Sequence, residues 1–427
     1  MQKNCKNCTQ PFPITPEDEK FYEKIKAPHP THCPDCRLKR RLSWRNEKHL
    51  YRRTCDLCQK HFISIYDQDS PYTVYCPKCW WSDKWDPASY QEEINFDEPF
   101  FTQFDRLHKK TPHLGIINEN KSLTNSEYVS YVSHSKNCYL VYAANFLEDC
   151  MHSHYIWETK DTMDCSNSTK LELCYECVDC DKLYNCNYCE FSQNSNNCTL
   201  CYDVRNCQDC YGCVNLRNKR YHYFNKQLTP EEYKEKIAQT HNHTTPLPQE
   251  DLEKFKELQL KHPRIGYHQL RCENSTGDAI KNCKNCKDCF EGYGGEDLKW
   301  VVNFPGAMKD CYDIFGCAEA ELCLEGHAIG LPAYNIKYSN ACWNGVRDMT
   351  YCAYIVNGGR DLFGCVSLKK SQFCILNKQY SEEEYRKLQT QLIEHMTKTG
   401  EWGEFFPAEM SAFPYELSVA QDYFPRG

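Results

Sequence analysis

Four Cys-x-x-Cys pairs lie in the first 79 residues: Cys5 with Cys8, Cys33 with Cys36, Cys55 with Cys58, and Cys76 with Cys79. Two intervening residues let both sulfurs of a pair reach one ion, so two pairs supply the four thiolates of a closed tetrahedral zinc site. The first two pairs and the last two therefore predict two structural Zn2+ sites. Segments this short bury little apolar surface, and metal binding would provide most of their folding free energy, about 10–16 kcal/mol per site. A redox reading of the pairs lacks the βαβ pattern that accompanies a thioredoxin-type motif. His29 and His32 flank Cys33, but four cysteines already complete the site.

Between the two cysteine sets runs RLKRRLSWRNEKHLYRR, with Arg37, Lys39, Arg40, Arg41, Arg45, Lys48, Arg52 and Arg53 interleaved with Trp44 and Tyr51. Cations beside stacking aromatics suit RNA or DNA, and Arg37, Lys39, Arg40, Arg41, Trp44, Arg45, Lys48, Arg52 and Arg53 are the candidate contacts. The competing reading is a solvated basic helix joining two metal modules. Charge distribution agrees with an N-terminal site: residues 1–113 hold 19 Lys and Arg against 16 Asp and Glu, whereas the whole chain carries a net charge of -8. Trp80, Trp81 and Trp85 follow, and read as a packing lid on the second module.

A second group of cysteines is periodic. Cut every twelve residues from Cys138, the chain places Cys138, Cys150, Cys174, Cys186, Cys198 and Cys210 in the first column, and Cys165, Cys177, Cys189, Cys201 and Cys213 in the fourth; Cys180 and Cys207 fall in neither. A fixed period of this kind is the mark of a solenoid. Residues three apart on a straight strand face opposite sides, so a corner must separate the two columns. The coil holds either twelve residues around a narrow interior that only small side chains fit, or twenty-four around a wider one. The stacked thiols read as reduced, buried filler, with further metal sites possible at Cys186, Cys189, Cys198 and Cys201 and at Cys283, Cys286 and Cys289.

The elements that carry these residues appear twice. Phe104, Leu107, Lys110, Pro112 and Gly115 recur as Phe255, Leu258, Lys261, Pro263 and Gly266, and YGCVNLRNKRYHYFNKQLTPEEY at 211–233 recurs as FGCVSLKKSQFCILNKQYSEEEY at 363–385. The second copy has Ala328, Ala341 and Leu362 where the first has cysteine columns. Thr229 with Glu232, and Ser381 with Glu384, are capping boxes that start a closing helix in each copy. The predicted fold is mainly β: two small N-terminal zinc-ribbon or knuckle modules, then a duplicated Cys-rich β-solenoid of parallel β-helix type with short capping helices. Module 1 with the basic helix covers 1–50, module 2 covers 51–98, solenoid copy 1 with its closing helix 99–239, a linker 240–251, copy 2 with its closing helix 252–398, and an aromatic tail 399–427 that packs over an open solenoid end.

The run CKNCTQPF, EDEKFYEKI and HCPDCRLKRR resembles a probable zinc-ribbon module of bacterial proteins over about the first 45 residues. With WWSDKWDP, the Cys-rich rows, NKQ followed by EEY, and EWGEFFP, the whole chain resembles a cysteine-rich family of candidate-phyla (Patescibacteria-type) bacteria. That resemblance implies an N-terminal zinc-ribbon fold.

With 41% hydrophobic and 26% charged residues, 427 residues read as a soluble chain of two to four domains. The polar N-terminus and the absence of a long apolar run predict no signal peptide and no membrane partner, hence a cytoplasmic location in which the 32 cysteines stay reduced. No GxSxG elbow, P-loop, dinucleotide GxGxxG or HExxH occurs, so no catalytic residue is assigned. His152 and His154, near Asp149 and Glu158, read as exposed strand histidines. The function predicted is a non-enzymatic zinc-binding protein that contacts RNA, the ribosome or DNA through its N-terminal region and presents an aromatic-rich solenoid face to a protein or acidic partner. The alternatives are a metal-thiolate or thiol-redox protein using the cysteine ladder, and a structural scaffold.

Overall fold

The computed structural model describes residues 1–240, 247–308, 324–326, 337, 348–354 and 356–426. Parallel strands dominate it, and the chain divides into two compact units, Ile116–His268 and Met1–Gly115 with Gln269–Gly427.

In the unit Ile116–His268, parallel pairing joins residues twelve apart: Trp157 lies between Asn145 and Thr169, and Cys198 pairs with Cys210. One coil thus holds twelve residues, not twenty-four. From Tyr131 to Phe224 every third residue has a left-handed φ. Each coil is consequently four short sides, each made of one inward residue, one outward residue and one left-handed corner. Non-glycine residues pay about 1–2 kcal/mol to enter that conformation. Asn and Asp tolerate it best, and corners such as Asn185, Asn197 and Asp209 also bond to one another up the stack, at 2.9 and 3.0 Å.

Four inward columns follow, not two. Cys180 and Cys207, which fall outside the two cysteine columns of the sequence, stand in the third and fourth, with Ile156, Ser168, Ser192 and Val204, and with Leu171, Leu183 and Ser195. All are buried. The hydrogen bonding explains which residues fit. An outward N–H donates to an inward carbonyl of the next coil, as Tyr175 does to Cys186 at 3.1 Å, and a corner N–H donates to an outward carbonyl of the previous coil, as Glu176 does to Met163 at 3.2 Å. Inward N–H groups instead find side chains one coil back: Cys165 donates to Ser153 Oγ at 3.1 Å and Cys207 to Ser195 Oγ at 3.1 Å. The hydroxyl or thiol then donates to the carbonyl two residues earlier, Ser168 to Ser166 at 2.7 Å and Cys186 to Tyr184 at 3.4 Å. A buried amide without a partner is costly, so small residues that both accept and donate are favoured at these positions.

The other unit contains the second set of coils. Gly277 pairs with Cys289, Met349 with Leu362, and Leu362 with Cys374, while Ile280, Cys283, Cys286, Cys289, Leu298, Cys352, Leu362, Cys365 and Cys374 share one core. Leu362 is inward filler here; Ala328 and Ala341 lie outside the described residues.

The duplication persists in atomic detail at the ends of the coils. Asn225 accepts from the Val214 amide and donates to its carbonyl, both at 2.9 Å, and Asn377 does the same with Val366 at 2.8 and 2.9 Å. Both capping boxes form. Gly212, at φ +63°, and Gly364, at φ +62°, face rings: a Cβ there would lie 2.7 Å from the Phe224 ring and 2.6 Å from the Phe100 ring. The duplicated helices, however, are exchanged. Gln249–Lys261, which precedes the second copy in sequence, packs on the end of the first: Tyr211 donates to buried Asp251 at 2.7 Å and Asn215 to the Pro263 carbonyl at 2.7 Å. Phe100–Lys110, which precedes the first copy, packs on the second: Ser367 donates to the Pro112 carbonyl at 3.1 Å, and the Phe100 and Phe363 rings lie 5.3 Å apart. The compact units therefore cross the boundaries drawn at 99–239 and 252–398. In the linker, Thr240 ends one helix and Gln249 begins the next, while residues 241–246 lie outside the described residues.

Candidate metal centres and the basic stretch

Two local designs with the same parts build the N-terminal cysteine groups. The antiparallel pair Gln2–Asn4 and Pro11–Pro13 turns through Cys5 and Cys8, and the pair Tyr51–Thr54 and His61–Ser64 turns through Cys55 and Cys58. Both turns close in the same way. Thr9 and Gln59 adopt left-handed φ and donate their amides to the carbonyls of Cys5 and Cys55, each at 2.9 Å. The second pair of each group opens a helix, Pro34–Leu42 or Pro77–Trp80, with Cys33 or Cys76 as N-cap and proline in the first turn, where a missing N–H costs nothing.

Within each group the four sulfurs lie within 4.8 Å of one another: Cys5, Cys8, Cys33 and Cys36, and Cys55, Cys58, Cys76 and Cys79. Each group could hold a metal ion, and four converging thiolates with short N–H···S contacts are what a soft or borderline cation selects. Burial raises the Cys5 thiol, but the amides of Cys8, Cys33 and Asn7 outweigh it and bring it down to about 6. The Lys60 amide brings Cys58 down to about 7. Burial pushes Cys33, Cys36, Cys76 and Cys79 up, so a metal would displace their protons. His32 is not a member of the first group; its Nδ1 faces Glu404 at 3.4 Å.

The further metal sets do not assemble. Among the described residues only the two N-terminal groups bring three or more such ligand atoms together. Cys186, Cys189, Cys198 and Cys201, like Cys283, Cys286 and Cys289, point inward from different sides of their coils and are engaged by backbone amides and carbonyls, such as Cys189 Sγ to the Cys198 carbonyl at 3.6 Å and Cys286 Sγ to the Gly295 carbonyl at 3.4 Å. No disulfide forms among the described cysteines.

The basic stretch is mostly interior. Arg37, Arg41, Trp44, Arg45 and Arg53 are buried. Arg37 donates to the His32 carbonyl at 2.7 Å and stands over the Trp300 ring; Arg53 is held by the Asp67 and Tyr72 carbonyls and by Asp56. Arg45 lies 2.5 Å from Glu47, and Trp44 packs against Phe406, ring centroids 5.2 Å apart. Arg40 joins Glu325 at 3.2 Å and Glu404 at 3.0 Å. Lys39 lies over the Tyr415 ring and Lys48 pairs with Asp422. Only Lys48 and Arg52 of these cations are exposed. A guanidinium closed off by its own protein cannot meet a phosphate, so the stretch is not the phosphate-facing strip that its composition suggests. Some of its partners are near in sequence, Glu47 and Asp56 among them, but Glu325, Glu404 and the tail helix Val419–Tyr423 lie hundreds of residues away and leave no local signal.

Trp80 is buried against Trp81 and Trp85 and donates to the Pro112 carbonyl at 3.2 Å, while Lys369 sits over the Trp80 ring at 4.7 Å. His152 is exposed; His154 is half-buried, contrary to expectation, because it occupies an outward column between neighbouring coils. No helix among the described residues is long and apolar enough to cross a membrane. Comparison with protein-family models and with curated proteins finds no match to this chain.

Proposed function

We propose that this chain is a non-enzymatic, zinc-stabilised binding protein of the cytoplasm. Its N-terminal modules are zinc ribbons that organise one unit, and its solenoid coils offer repetitive outer faces to a protein partner. The observation that carries this reading is the pair of four-sulfur groups, each built from a hairpin turn and a helix start and each within 4.8 Å. Zinc is the ion of choice for a closed all-thiolate tetrahedral site, and a reducing compartment keeps its ligands competent. Burial of Arg37, Arg41, Arg45 and Arg53, with Arg40 paired to Glu325 and Glu404, leaves an RNA or DNA contact in this stretch to exposed Lys48 and Arg52 and half-buried Lys39, so the protein-binding form of the reading is preferred.

Metal analysis of the purified chain by native mass spectrometry tests it. About two zinc ions per chain are expected, with the ladder thiols reactive only after unfolding. Five or more bound ions would favour the metal-thiolate reading instead, and none would remove the zinc.

A further inference from the structure

One outer column of the unit Ile116–His268 carries large apolar or aromatic side chains on four successive coils, where the other outer columns mix polar and apolar residues. Tyr139, Met151, Met163 and Tyr175 stand on four successive coils, paired Tyr139 to Met151, Met151 to Met163 and Met163 to Tyr175. Tyr139, Met151 and Met163 are 43%, 44% and 41% exposed, and Tyr128 extends the stripe, its ring 5.4 Å from that of Tyr139. Exposed methionine beside tyrosine is an adaptable, polarizable contact surface.

Left-handed corners edge the stripe with carboxylates: Asp149 and Asp161 on one side, Asp164 and Glu176 on the other. Asp149 accepts from Asn137 and Glu176 from the Tyr175 hydroxyl, but none of the four is ion-paired among the described residues. The nearby Lys136 and Lys160 both face Glu148. The coils repeat at about 4.8 Å, close to the 5.4 Å pitch of an α-helix. Apolar side chains from successive turns of a helix laid along the stack would thus meet successive coils, with the cations of that helix over the two carboxylate edges and the tyrosine rings.

We infer that the Tyr139–Met151–Met163–Tyr175 stripe is a docking site for a cationic amphipathic helix of about three turns. This rests on the binding-protein reading above and names the class of its partner. The carboxylate edges oppose nucleic acid at this face.

The test uses the full-length chain and a fluorescent peptide of about four helical turns made of Leu and Lys in helical period, followed by anisotropy. Binding that weakens as salt rises is expected. Met151→Ser with Met163→Ser should lower affinity about tenfold or more, since both side chains lie on the contact and not in the core. Asp161→Asn, Asp164→Asn and Glu176→Gln together should lower it by a similar factor and flatten the salt dependence. The same peptide with Glu for Lys should not bind. Three results would overturn the inference: equal affinity in the variants, which is general attraction to an acidic chain; equal binding of the Glu peptide; or a dimer of the chain, dissociated by the methionine changes, occupying the stripe. The unit holds neither four-sulfur group, so a failed peptide test leaves the zinc reading standing, and a missing zinc leaves this test valid.

Discussion

The amide of Cys180 donates to Ser168 Oγ, one coil earlier, at 3.0 Å, and Cys180 Sγ in turn donates to the Val178 carbonyl at 3.2 Å. Serine and cysteine thus hold one position in the stack. The cysteine ladder is a hydrogen-bonding device as much as a packing one, which is why it intermixes with Ser and Thr.

Replacing Ser168 separates the two roles. Ser168→Thr keeps an acceptor for the Cys180 amide and should cost less than about 1 kcal/mol, whereas Ser168→Ala leaves that buried amide unpartnered and should cost about 1–3 kcal/mol. Urea unfolding of the two variants measures the difference. Equal losses would mean that the small polar side chain is filler alone.

Removing a ligand of the first proposed zinc site should reach beyond its own module. Cys33→Ser is expected to lower bound zinc by about one ion per chain. Cys33 caps the helix that carries Arg40, and Arg40 holds Glu325 and Glu404, so hydrogen exchange should also rise around residues 401–406. The unit Ile116–His268 should keep its protection.

Glu404 links stability to pH. Burial alone would raise its carboxyl, but hydrogen bonds from His32 and Thr31 and the Arg40 charge hold it down at about 2. A depressed carboxyl stabilises the fold above its unfolded value near 4.5 and loses that contribution as pH falls toward 2. Glu404→Gln should therefore cost about 2–3 kcal/mol at pH 7 and progressively less between pH 4.5 and 2. A deficit that does not shrink on acidification would contradict the assignment.

The exchanged helices predict which fragment folds. A chain of residues 116–268 carries its own end cover, through Tyr211 to Asp251 and Asn215 to Pro263, and should unfold cooperatively. Stopping at residue 239 removes that helix and exposes the surface shared by Leu200, Tyr211 and Tyr233; a lower melting temperature is expected, by several degrees.

Much of this was legible in the residues. The eight N-terminal cysteines, the twelve-residue period, the capping boxes at Thr229 and Ser381 and the repeated NKQ are local signals, because ligand spacing, helix caps and coil length are fixed by a few consecutive bonds. The choice of twelve residues per coil over twenty-four, and the inward columns of Cys180 and Cys207, needed the left-handed corners, which residues as unlike as Tyr155, Lys170 and Leu200 adopt only because neighbouring coils satisfy their amides. Likewise, the basic stretch looks like a phosphate-binding strip until distant groups close over it, Glu325 and Glu404 at Arg40 and the Trp300 ring at Arg37, and Phe100–Lys110 looks like the start of the first copy until it is seen against Phe363 and Ser367. Sequence determined the pieces whose partners lie within a coil or a turn; tertiary structure decided the rest, since burial and helix exchange depend on contacts between residues hundreds of positions apart.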